Sequence, residues 1–159
     1  MDNLPTRKSI RLKNYDYSQN GAYYITICTK NKQHLFWNDI VGARIARPPL
    51  SDIGKVTENA INKISFHYPM VLVDKYAIMP NHIHMILIIS NEDSGRAMRA
   101  TTISTIINQM KGYITKQIGY SIWQKLYNDH VIRSETEYKT KWEYIDTNPI
   151  RWQEDDYYV

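Results

Sequence analysis

Cysteine is almost missing from this chain: Cys28, between Ile27 and Thr29, is the single thiol in 159 residues. No intramolecular disulfide can staple the fold, and the role expected for Cys28 is that of a buried structural thiol. Long apolar runs are missing too, none approaching the roughly 20 residues of a membrane-crossing helix. The N-terminal stretch has no signal-peptide core. These absences predict a soluble, cytoplasmic protein with no membrane partner. With no internal repeat and no shift in composition, residues 1–159 read as one domain.

What is present suits a globular fold. Hydrophobic residues make up 43% and charged residues 23% of the chain, enough for a normal core and too apolar for disorder. The net charge is +4, and the basic excess is local. Arg7, Lys8, Arg11 and Lys13 face only Asp2 and Asp16 in a polar arm over 1–20, and Arg44, Arg47, Arg96 and Arg99 lie in two connecting stretches. Polyanions fit that pattern. Thirteen tyrosines and four tryptophans add faces on which unpaired bases can stack, although most must belong to the core.

Alternation and turn chemistry predict the elements. After Asn20-Gly21, residues 22–29 are rich in β-branched and aromatic side chains and read as a first strand. His34 to Trp37 is a short extended piece. Pro48 and Pro49 interrupt the next stretch, and Ser51 can cap a helix with Ile53, Val56, Ala60, Ile61 and Ile64 on one face. Residues 70–78 form a second strand, and Pro80-Asn81 turns into a third. Thr101 or Thr102 starts a second helix lined by Ile103, Ile106, Ile107, Met110 and Ile114 and stopped by Gly119, with Lys111 on its solvent side. A last strand lies near Asp129 to Arg133, and Ser134 with Glu137 has the form of a capping box opening a final helix over 134–148. The order predicts an α+β, ferredoxin-like (RRM-like) antiparallel four-stranded sheet, with two helices on one face plus a C-terminal helix.

Two stretches carry candidate chemistry. In the third strand His82 and His84 lie one residue apart, so they project to one face about 7 Å apart along the strand, a spacing that suits two ligands of one metal ion. Apolar residues on both faces beyond His84 place that strand centrally, with the pair at its rim. In the final helix Tyr138, Trp142 and Ile145 point inward, and Tyr144 and Asn148 share one flank a turn apart. Pro149 is expected to push Asn148 out of helical backbone.

His82-Ile83-His84 after Met79-Pro80-Asn81, Trp123-Gln124 running to Asp129-His130-Val131-Ile132-Arg133, and Tyr144-Ile145-Asp146-Thr147-Asn148-Pro149 together resemble the single-tyrosine HUH transposases. The similarity is greatest to the IS200-like branch known as REP-associated tyrosine transposases. Arg11-Leu12, Asp16-Tyr17-Ser18 and Ala22-Tyr23 extend it over nearly the whole chain. The resemblance implies that His82 and His84 bind a divalent ion, Mg2+ or Mn2+, that Tyr144 is the nucleophile, and that Asn148 is the third ligand. It implies a DNA transposase that cuts single-stranded DNA beside hairpins and rejoins it through a 5′-phosphotyrosine. The partner is single-stranded DNA with hairpin structure, no nucleotide cofactor is needed, and a homodimer is among the assemblies admitted. Arg11, Lys13, Lys111 and Arg133 are candidate DNA contacts, and His130 is expected to serve structure or substrate contact rather than proton transfer.

Two other readings compete. An RRM-like nucleic-acid-binding module without catalysis would need neither the histidine pair nor Tyr144, and its glycine–aromatic signature is absent. A metal-dependent hydrolase or oxygenase would need Asp129 or Glu143 to complete the site, and neither H-E-x-x-H nor H-x-x-E-H occurs.

Overall fold

The computed structural model describes residues 21–38, 49–90 and 103–159. The arm over 1–20 with Arg11 and Lys13, the arginines at 44, 47, 96 and 99, and the helix cap at Thr101 or Thr102 lie outside the described residues.

Four strands, β1 (Gly21–Cys28), β2 (Val71–Ile78), β3 (His82–Ile89) and β4 (Asn128–Ile132), form one sheet in the order β2-β3-β1-β4, every pair antiparallel. The helices are α1 (Asp52–Asn62), the single turn α2 (Ile64–His67), α3 (Ile103–Ile118) and α4 (Glu135–Thr147). This is the α+β arrangement that the order of elements predicts, and β3 is an inner strand as its two apolar faces require.

Register separates the two faces. Ile27, Ile25 and Tyr23 of β1 pair with Ile83, Met85 and Leu87 of β3, and all six are fully buried. α1 and α3 pack on each other, and their apolar stripes join this cluster. Ser51 caps α1 by accepting from the Gly54 N–H at 3.0 Å. Gly54 is required there, because a Cβ would lie 2.3 Å from the Phe36 carbonyl oxygen. Gly119, at φ +98°, ends α3 in the left-handed backbone that favours glycine.

On the opposite face, Cys28, Thr26 and Tyr24 pair with His82, His84 and Ile86. α4 covers this side against β2 and β3. Lys75 ties it down, its ammonium 2.6 Å from Asp146 and 4.1 Å from the centre of the Trp142 ring, and the Tyr138 hydroxyl donates to Asp74. Ser134 caps α4 by accepting from the Glu137 N–H at 3.1 Å. Glu137 does not close the reciprocal bond of a capping box. Its carboxylate accepts instead from the Arg133 N–H and from the His130 ring, joining β4 to the first turn of α4.

Two expectations need correction. Lys111 is buried, and its ammonium donates to the Gln124 carbonyl at 3.0 Å. It borders the apolar stripe, so its stem packs inside while its head finds an oxygen at the edge. Asn148 keeps helical angles, φ −57° and ψ −44°, despite Pro149. The turn runs on through the Arg151 N–H, which reaches the Thr147 and Asn148 carbonyls at 3.2 and 3.0 Å.

Candidate active site and metal centre

The histidines stand where β3 begins, both buried. The Nδ1 of His82 lies 2.7 Å from Asn81 Oδ1, while the Asn81 amide nitrogen donates to the Tyr157 carbonyl at 2.8 Å. That second bond fixes which end of the amide is oxygen, and an amide oxygen only accepts. His82 therefore carries its proton on Nδ1 and turns a lone pair outward from Nε2. The Nδ1 of His84 meets the hydroxyls of Tyr24 and Thr26, each at 2.9 Å. Hydroxyls donate and accept, so the His84 proton can rest on Nδ1 and free Nε2 as well.

The two Nε2 atoms are 3.0 Å apart, and Asp155 Oδ2 is 3.3 Å from that of His82. His82, His84 and Asp155 each bring one ligand atom into a cluster with no separation above 4.8 Å. Three lone pairs converge in a place that water barely reaches, and a proton or a cation is what relieves their repulsion. Asp155 Oδ2 and Asn148 Oδ1 are buried with no hydrogen-bond partner, which in a native interior calls for a ligand. Ligands at right angles and about 2.1 Å from one ion are themselves about 3.0 Å apart, the spacing of the two imidazoles. The donor set fits a divalent cation, and the cluster can hold one.

Burial depresses both imidazole pKa values, for His84 with a further push from His82, so each stays neutral and able to ligate below the usual range. For Asp155 burial acts upward, but the Tyr157 N–H that its Oδ1 accepts acts the other way, and the carboxyl ends low, hence ionised.

Tyr144 reaches the same place from α4, its ring centre 5.4 Å from that of His84 and its side partly open to solvent. Burial and then the charge of Asp155 raise its phenol to about 12, with the neighbouring Asn148 amide pulling the other way. One chain thus brings together His82, His84, Tyr144 and Asn148. Arg133 is exposed on the turn before α4. Asp129, paired with Ile25, lies on the far face of the sheet, and Glu143 is exposed on α4, so neither completes the histidine cluster.

Asp155 does, and sequence reasoning missed it. The segment after α4 folds back over the pair: Trp152 is fully buried and packs on His82, and the Tyr157 ring lies 4.6 Å from the same imidazole. The Tyr157 N–H donates to Asp155 Oδ1 at 2.7 Å, leaving Oδ2 for the histidines. The available signal was an acidic pair, Asp155-Asp156, one turn beyond a tryptophan near the end of the helix.

Comparison with known proteins then places the chain. No family model matches it. An uncharacterised protein of Haemophilus influenzae is 36% identical, over 96% of this chain and 93% of its own length. A second protein of that organism, named "Putative REP-associated tyrosine transposase", is 22% identical, over 88% and 77%. A solved REP-associated tyrosine transposase bound to a REP hairpin superposes with a TM-score of 0.63, covering 89% of this chain and 73% of that one at 20% identity. The sheet of this chain with α1, α3 and α4 has the fold of that solved transposase, and the histidine cluster and Tyr144 occupy one end of the sheet.

Proposed function

We propose that this chain is a metal-dependent DNA transposase that nicks and rejoins single-stranded DNA beside a hairpin, with Tyr144 as nucleophile. The observation that carries the reading is the meeting, within one chain, of a tyrosine ring 5.4 Å from a histidine whose Nε2 is 3.0 Å from that of a second. Around it lie buried oxygens of Asn148 and Asp155 that no protein group satisfies.

His82, His84 and Asp155 would hold the ion, with Asn148 Oδ1 as a further ligand. Mixed nitrogen and oxygen donors suit Mn2+ and accept Mg2+. What a divalent ion supplies when bound is positive charge at the scissile phosphate and at the departing oxygen. The chain does the rest. Tyr144 Oη forms a bond to phosphorus as the bond from phosphorus to the 3′ oxygen breaks. The phenol proton passes to water on the open side of the ring, and the departing oxygen ends as a 3′ hydroxyl with a proton from solvent. Asn148, one turn on from Tyr144, would steady the phenolate with its amide N–H. Attack of a 3′ hydroxyl on the phosphotyrosine reverses these steps, and the ester energy kept in that bond makes a nucleotide cofactor unnecessary. The exposed Arg133 is a phosphate contact in this reading. Lys111, already taken up by Gln124, is not.

The test is a covalent-adduct assay on hairpin-bearing single-stranded DNA with Mn2+ or Mg2+. The parent should form an adduct stable to denaturant, Tyr144→Phe should bind DNA as the parent does and form none, and Tyr138→Phe should remain active. An adduct that survives Tyr144→Phe, or a parent that never forms one, overturns the assignment.

A further inference from the structure

Beyond the end of β1 the chain makes a tight loop, Lys30–Lys32, in which Asn31 and Lys32 take φ of +55° and +53°. Two consecutive non-glycine residues in left-handed backbone are uncommon, and such strain gathers at binding and catalytic places. The loop is held in that shape. Thr29 Oγ1 donates to the Gln33 and Asn81 carbonyls at 2.8 and 3.0 Å, and the Lys30 N–H donates to Ile122 at 2.8 Å. The Asn81 that anchors it is the residue that orients His82.

This loop forms one wall of an open cleft of about 1050 Å³ whose opposite wall is the stretch before β4. Lys30, Lys32 and Lys125 line it, all exposed and with no acidic side chain in the lining. Trp123 lines it as well, and its buried indole N–H has no hydrogen-bond partner. Three cations form a receptor for an anion with oxygen acceptors. The volume reaches the top of the range for small-molecule sites, and the cleft is open to solvent, which admits a polymer. A duplex is read by a protruding element that enters its groove, whereas a concave basic trough takes a single strand by its backbone.

We propose that this cleft is the bed for the single-stranded segment of the DNA next to the scissile phosphate, gripping phosphates without reading sequence. The inference rests on the proposed nicking of single-stranded DNA. It assigns Lys30, Lys32 and Lys125 as backbone contacts, none of them part of the nucleophile or ligand set.

The test uses the full chain carrying Tyr144→Phe, with and without Lys30→Ala, Lys32→Ala and Lys125→Ala combined, on a hairpin with a single-stranded extension and on the blunt hairpin alone. Each single-strand phosphate neutralised contributes about 0.7 to the slope of log affinity against log salt. The triple variant should bind the extended substrate at least tenfold more weakly, with a salt slope shallower by about two. Its affinity for the blunt hairpin should stay unchanged, and the three Lys→Arg replacements should restore binding. Unchanged binding of the extended substrate, or equal loss on both substrates, overturns the proposal. A normal covalent adduct from the parent alongside either result leaves the Tyr144 reading standing, whereas an extension-specific loss without any adduct from the parent leaves the cleft standing alone.

Discussion

Among single side chains, Asn81 and Asp155 do opposite jobs around His82. Asn81 spends both ends of its amide, holding the imidazole proton on Nδ1 and the Tyr157 carbonyl in place. Asp155 spends only Oδ1, on the Tyr157 N–H, and keeps Oδ2 beside the imidazoles. Asp155→Asn separates those roles, because an asparagine retains the Oδ1 acceptor and the turn while replacing the charged ligand atom with an amide donor. Mn2+ affinity measured by calorimetry should fall by tenfold or more, with the urea midpoint of the metal-free chain little changed. Equal Mn2+ affinity in parent and variant would remove Asp155 from the ligand set. The histidine pair itself is legible in the sequence, since a strand's period of two puts residues 82 and 84 on one face whatever else the chain does. Asp155 is not legible, because it reaches the cluster by a turn after α4 that no periodicity encodes.

Individual elements show the same division. The strands and α1, α3 and α4 follow from alternation, helical stripes and caps, and their bounds agree with the sequence reading within a residue or two. Contacts made by long or exceptional side chains do not follow. Lys111 sits beside the stripe of α3, and only the position of Gln124 in space decides that it is buried. Glu137 satisfies the sequence form of a capping box but turns to Arg133 and His130, because β4 delivers a competing N–H and an imidazole. At α1, the cap by Ser51 is legible while the need for Gly54 is not, as it comes from the Phe36 carbonyl of a distant loop. Gly54→Ala should therefore destabilise the chain by about 1–3 kcal/mol despite alanine's better helix propensity. Urea unfolding checks this, and an unchanged or raised midpoint would mean that α1 moves off the loop at no cost.

For the whole molecule, the site is a sandwich: the sheet below, α4 to one side and the C-terminal segment above, with two imidazoles shut inside. That enclosure has a thermodynamic signature in the chain kept metal-free by chelator. Burial lowers the pKa of both His82 and His84 in the folded state, whereas in the unfolded chain they return to about 6.5. Below that pH the unfolded chain takes up protons that the folded one refuses. Stability is thus fully present above about pH 6.5 and declines on acidification, by up to about 1.4 kcal/mol per pH unit for each imidazole kept neutral, until the folded pKa values are passed. Asp155 adds a separate loss at lower pH, since its carboxyl, bonded by the Tyr157 N–H, is held below its ordinary value and must be protonated on acid unfolding. Urea midpoints followed from pH 7.5 to 5 should fall in the parent and stay flatter in a His82→Asn, His84→Asn double variant. Mn2+ should raise the parent's midpoint at pH 7.5 and lose that effect on acidification, as protons and ion compete for the same nitrogens. A parent whose metal-free midpoint is flat across this range would show that the imidazoles are already solvated in the folded chain, and the closed arrangement over β3 would have to be abandoned.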